Sequence, residues 1–126
     1  MKEITAIVRM NKMNDTKRAL KERGYGSFTA RKVLGRGKGN VDFRILKGAE
    51  EGIGEAVDQL GQGPKLIPKR MLTVIVPDEL VPGLVETIIQ VNQTGKPGDG
   101  KIFIAAVSDA IRVRTGEHGD EALAEG

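Results

Sequence analysis

Within TGKPGDGKIFI, residues 94–104, the residues Gly95, Gly98, Gly100 and Lys101 have the types and spacing to hold a phosphate. Glycines let the backbone aim successive N–H groups into a concave anion nest, and a lysine adds charge. From Gly95 to Lys101 the stretch matches G-x-x-x-x-G-K, but Ile102 stands where the magnesium-binding Ser or Thr of a P-loop belongs. A second cationic stretch, IRVRTGE at 111–117, alternates Arg112 and Arg114 with Ile111 and Val113. As a strand it sets both guanidinium groups on one face, about 7 Å apart, a separation suited to successive phosphates. The same alternation also fits a solvated edge strand on which arginines discourage aggregation. GRGKG at 35–39 is a third basic, glycine-bearing element. Three such elements in one small domain favour a nucleoside triphosphate over scattered surface charge.

The elements that position these residues follow from periodicity. KEITAIVRM alternates Ile4, Ala6 and Val8 with more polar neighbours and reads as an opening strand. NDTKRALKERG supplies an Asn/Asp cap, a thin apolar stripe at Ala19 and Leu20, and Gly24 as a C-cap. FTARKVLG is a second strand ending at Gly35, and KRMLTVIVPD a third, its Met71, Leu72, Val74, Ile75 and Val76 making the strongest β signal in the chain. From Asp78 to Gln93, Val81, Leu84, Val85, Ile88 and Asn92 recur at helical spacing, with Asp78 as cap and Pro82 in the first turn. KIFIAAV then reads as a buried strand, so the glycine loop joins a helix to a strand. A P-loop runs the other way, from strand to helix N-terminus. Anion binding survives this inversion and the NTPase reading does not. The sum is an α+β, ferredoxin-like β-α-β-β-α-β order, with AIRVRTG as an extra C-terminal strand.

Composition narrows the class. With 126 residues the chain reads as one domain, and 20 Lys plus Arg against 17 Asp plus Glu leave a net charge of +3, which permits nucleic acid without demanding it. The absence of cysteine excludes disulfides, thiolate metal sites and thiol nucleophiles. Neither a signal core nor a membrane-spanning run is evident, and the chain reads as soluble and cytoplasmic.

Between the second and third strands lies the longest connection, from Gly35 to Pro68, with glycines at 35, 37, 39, 48, 52, 54, 61 and 63. Unstructured connections beyond roughly 12 to 15 residues are uncommon and tend to be functional or disordered. Its first half carries Arg36, Lys38, Arg44 and Lys47, its second Glu50, Glu51, Glu55 and Asp58, and EEGIGEAVDQL has the pattern of a short helix formed on a partner. We read it as a partner-contacting arm; an untidy solvated insertion is the other reading.

Taken together, TGKPGDGKIFI followed by IRVRTGE, with MKEITAIVR, LGRG and IPKRMLTVIVPDE, resembles the PII signalling proteins over nearly the whole chain. The resemblance implies a single PII-like domain over 1–126, with a T-loop at 36–67, a B-loop at 93–101 and a C-terminal segment at 110–126. It implies a trimeric sensor, not an enzyme, that binds ATP or ADP and 2-oxoglutarate, with Mg2+ accompanying them, in clefts between subunits. Carried over by position, the nucleotide residues are Thr29, Gly35, Arg36, Gly37, Lys38, Thr73, Ile75, Gly98, Asp99, Gly100, Lys101, Arg112 and Arg114. The 2-oxoglutarate residues are Lys69, Gly37, Lys38 and Gly39. Thr73 and Ile75 also fit ordinary strand packing.

The departures are specific. Bacterial members carry a Gln that helps hold magnesium and 2-oxoglutarate where this chain has Gly39, and a nucleotidylated Tyr where it has Glu51, so that modification is impossible here. The T-loop is lengthened after Glu51. In these respects the chain is most similar to the second member of the archaeal nitrogenase-regulating PII-like pair. The resemblance thus implies a homotrimer or a mixed assembly with a related subunit, with a nitrogenase component as target, reversibly inhibited when 2-oxoglutarate is low. An ammonium transporter or glutamine synthetase is the alternative target.

Two rival classes are weaker. A ferredoxin-like RNA binder stacks bases on aromatics, and the chain has no Trp, one Tyr and three Phe, so no nucleic acid is expected. A nucleotide-using enzyme needs a base or nucleophile near the phosphates, and His118 sits in a polar tail.

Overall fold

The computed structural model describes residues 1–36 and 66–123. Strand β1 (Lys2–Arg9) leads through a 3-10 turn into helix α1 (Met13–Glu22), followed by β2 (Thr29–Gly35). After the long connection come β3 (Ile67–Val76), a second 3-10 turn, α2 (Val81–Asn92), β4 (Lys101–Ala106) and a short α3 (Asp120–Leu123). The four strands form one antiparallel sheet in the order β2-β3-β1-β4, so β1 and β3 are central and β2 and β4 are edges.

Alternation divides the sheet into two faces. Ile4, Ala6 and Val8 of β1 and Leu72, Val74 and Val76 of β3 point to one side, where Met13 and Leu20 of α1 and Leu84 and Ile88 of α2 close the core. Burying a Leu or Ile side chain contributes about 1.5–3 kcal/mol. The two helices are also stitched by a buried polar pair: Asn92 donates to Thr16 Oγ1 at 3.0 Å and to the Ile88 carbonyl at 2.9 Å. The opposite face carries Glu3, Thr5, Ile7, Met71, Thr73 and Ile75, half-buried or exposed. No helix among the described residues is long and apolar enough to cross a membrane.

Local expectations were met at Gly24, which has φ +88 and lets Tyr25 N–H return to the Leu20 carbonyl at 2.8 Å. The helix starts differ from expectation. No side chain caps α1 or α2, and each is preceded by a 3-10 turn that takes the first backbone groups. Asp78 instead receives the N-terminal ammonium at 3.0 Å and Lys2 at 3.3 Å.

The extra C-terminal strand is reduced to a single bridge between Ile111 and His118. Residues 113–115 turn, Arg112 N–H donates to Glu117 O at 2.8 Å, and Gly116, at φ +76, donates back to Arg112 O at 2.7 Å. These local bonds close a tight loop where extended pairing was expected. Arg112 and Arg114 therefore do not share one face of a strand, and the two-fork spacing derived from strand rise does not apply.

Candidate functional site

The glycine loop leaves α2 at Gln93, whose backbone is extended, and returns to the sheet at Lys101. Its sharp path needs glycine. Gly98 has φ +97, and Gly100, at φ +109, lies so close to β1 that a Cβ there would stand 1.8 Å from the Ile7 carbonyl oxygen.

The loop closes around its own carboxylate. Asp99 accepts the N–H groups of Thr94 at 2.7 Å and Gly95 at 2.9 Å through Oδ2, and the Thr94 hydroxyl at 2.5 Å through Oδ1. Arg9 forms an ion pair with the same carboxylate and donates to the Pro97 carbonyl at 2.9 Å. The β1–β4 register ends at Ile7 opposite Lys101, and its continuation sets Arg9 opposite Asp99. Partial burial acts to raise the Asp99 carboxyl, but hydrogen bonds from the Thr94 hydroxyl and N–H, Arg9 and Gly95 hold it well below the usual carboxylate range. Lys69, which pairs with Arg9 across β1 and β3, donates to the Gly98 carbonyl at 2.6 Å. Its ammonium is lowered first by burial and then by Arg9, against the pull of Asp99.

One end of the sheet therefore gathers Gly98, Asp99, Gly100, Lys101 and Lys69. Gly35, opposite Ile67 at the end of β2, belongs to the same end, and Arg36 follows it, exposed. Gly37, Lys38 and Gly39, the pattern EEGIGEAVDQL and the Glu51 position lie outside the described residues. Arg112 is bonded to Glu117 Oε1 and to the Glu121 carbonyl, both at 3.0 Å, and Arg114 is exposed on the adjacent turn.

The remaining predicted residues sit elsewhere. Thr29 pairs with Thr73 across β2 and β3, and both line an open cavity of about 690 Å³ with Thr5, Arg31 and Met71 on the helix-free face. Ile75, two residues along the same face, is 37% exposed. Thr29 and Lys101 stand on opposite edge strands, three inter-strand spacings or roughly 14 Å apart across the sheet and two residues apart along it. Lys69 and Thr73 are separated by four residues of β3, roughly 13 Å. One copy of the sheet thus carries two groups of candidate residues that it does not itself bring together.

Sequence reasoning missed Arg9 and Thr94. Nothing local marks Arg9, which ends an apolar strand and meets a carboxylate 90 residues away. Thr94 opens the loop stretch, but only the folded loop shows that its hydroxyl and N–H both serve Asp99.

The fold and site define a ferredoxin-like α+β domain whose glycine loop joins a helix to a strand and so lacks the architecture of a P-loop. The model of the nitrogen regulatory protein P-II family matches residues 1–117, and the chain belongs to that family. It is 46% identical to the nitrogen fixation nifHD1 region GlnB-like protein 2 of Methanosarcina barkeri, covering 98% of this chain and 99% of that protein. It is 47% identical to the nitrogen fixation nifHD region glnB-like protein 2 of Methanococcus maripaludis, over 98% and 100%. The nitrogen regulatory protein P-II 1 of Escherichia coli is 40% identical over 98% and 100%.

Proposed function

We propose that the chain is a PII-type regulator, not an enzyme, that senses ATP or ADP together with 2-oxoglutarate and inhibits nitrogenase reversibly through its T-loop, 36–67, when 2-oxoglutarate is low. The observation that carries the nucleotide part is the division of the candidate site. The glycine loop with Lys101, Lys69 and Gly35 lies at one end of the sheet, and Thr29, Thr73 and Ile75 lie along the strands toward the other end. In a ring of three copies, one chain's loop faces its neighbour's patch, and a nucleotide spans the seam with Arg112 and Arg114 closing on its phosphates. Two exposed edges support assembly, since β4 presents Phe103 and Ile104 at 54% and 53% exposure.

Lys69 fits an anionic effector, because its ammonium is half-buried and already held against the loop by Gly98. In this reading Mg2+ accompanies the nucleotide's phosphates. The nitrogenase target rests on the relatives named for a nitrogen-fixation gene region. The partner is a second or third copy of this chain or a related subunit.

Calorimetry with ATP tests the sensor, and pull-down of purified nitrogenase components with and without ATP and 2-oxoglutarate tests the target. The expected result is ATP binding by the full chain, nitrogenase capture without 2-oxoglutarate, and release when it is added with ATP. Capture of an ammonium transporter or glutamine synthetase instead would reassign the target; absence of ATP binding would overturn the sensor.

A further inference from the structure

Arg9 is 4% exposed and is the only buried charged side chain among the described residues. Its guanidinium meets three groups of one loop: the Asp99 carboxylate, the Pro97 carbonyl at 2.9 Å and, at 3.5 Å, the Thr94 hydroxyl. A buried ion pair is weak evidence for stability, because desolvation offsets most of its attraction, whereas a planar fork that binds two acceptors fixes geometry. The loop it holds contains Gly95, Gly98 and Gly100, all at positive φ, and a chain with that freedom has many conformations to lose on binding.

The geometry points to Arg9 as the positioning residue that holds the glycine loop in its phosphate-receiving form, by locking Asp99 against the N–H groups of Thr94 and Gly95. This rests on the reading of that loop as the phosphate site. Asp99 then acts as an internal anion that shapes the loop, and its carboxylate is engaged inside the loop instead of facing the ligand. Of the groups packed around Arg9, Asp99 attracts it and Lys69 repels it, so removing Arg9 leaves Asp99 with Lys69 as its nearest cation. A single ammonium bonded to the Gly98 carbonyl has no planar fork with which to bind Asp99 and the Pro97 carbonyl together. Ordering the loop in advance lowers the cost of binding and so raises affinity for phosphates alone.

The test compares the full-length protein with Arg9→Met, Arg9→Lys and the double variant Arg9→Met, Asp99→Asn, which keeps the loop free of an unpaired charge. Hydrogen exchange at the Thr94 and Gly95 amides is read without nucleotide, and ATP and adenosine binding by calorimetry. In Arg9→Met the two amides exchange at least about tenfold faster and ATP binds about 10- to 100-fold more weakly, while adenosine changes less than about twofold. Arg9→Lys recovers only part of both effects. The double variant folds yet keeps fast exchange and weak ATP binding. Unchanged exchange in Arg9→Met, or wild-type ATP affinity in the double variant, overturns the proposal. Failure of the wild-type chain to bind ATP would overturn the nucleotide reading instead, and the exchange measurement still decides the role of Arg9.

Discussion

The two ends of the candidate site are built on opposite plans. The glycine loop is over-determined: a buried arginine, an internal carboxylate, a lysine tie and a glycine pressed against the Ile7 carbonyl all specify one path. The Thr29–Thr73 patch is the open side of a regular sheet, with side chains spaced by the ladder and the Thr5 hydroxyl donating to the neighbouring Glu3 carboxylate at 3.2 Å. A phosphate group is recognised by fixed donors, so its end of the site must be held before the ligand arrives. An adenine ring needs a flat, partly apolar shelf, and a strand supplies one without further specification.

If that contrast is right, substitutions at the loop should damage the fold and those at the patch should not. The largest effect belongs to Gly100→Ala, which meets both a left-handed backbone and the Ile7 oxygen, and should destabilise by about 3–5 kcal/mol in chemical denaturation. A loss below about 1 kcal/mol would show that the loop is free to shift.

Next comes Asp99→Ala, which strands Arg9 and should cost about 3 kcal/mol in the same assay. The sign of its pH dependence follows from a folded carboxyl lowered from 3.8. The stability Asp99 contributes is fully present above that value and is lost as pH falls below it toward the folded value. Asp99→Asn should therefore flatten the acid limb of the denaturation curve; an unchanged limb would deny Asp99 this role. Lys69 adds a slope of the same sign in the alkaline range, because its ammonium is lowered too: its penalty is present at neutral pH and is relieved as pH rises toward 10.5.

Smaller still is the effect of Lys101→Ala on binding. Lys101 is exposed at the start of β4, so ATP affinity should fall by about 1.5–3 kcal/mol with the fold intact. Arg112→Ala should behave alike in calorimetry, provided phosphate replaces Glu117 as its partner. The smallest change is expected at the patch, where Thr73→Ala should alter stability by less than about 0.5 kcal/mol while weakening ATP binding several-fold.

The same contrast explains what could be read from sequence. The β-α-β-β-α-β order was legible because β1 alternates Ile4, Ala6 and Val8 with more polar neighbours, β3 carries a dense run of β-forming residues from Met71 to Val76, and α2 repeats its apolar residues at helical spacing. The glycine loop was legible because backbone at positive φ restricts residue type, so Gly98 and Gly100 leave a local trace. Arg9 left none, since its partner is fixed by strand register, which no local pattern encodes. IRVRTGE misled for the converse reason. Its alternation satisfies a strand, but Gly116 and the Arg112–Glu117 pair reverse the chain first. The helix caps misled similarly, because 3-10 turns served the backbone groups that Asn, Asp and Ser side chains otherwise serve.

The central claim is that one chain supplies the glycine loop and a neighbour supplies the patch. Subunit complementation tests it most directly. Lys101→Ala is combined with Gly98→Ala to disable the loop in one chain, and Thr73→Lys disables the patch in another. Each is shown to assemble by light scattering, and the two are then refolded together in equal amounts. Neither variant alone should bind ATP, whereas the mixture should recover about one site in four, because each head-to-tail seam draws its two halves at random. A mixture that binds no more ATP than its parents would place both halves of the site within one chain and contradict the account.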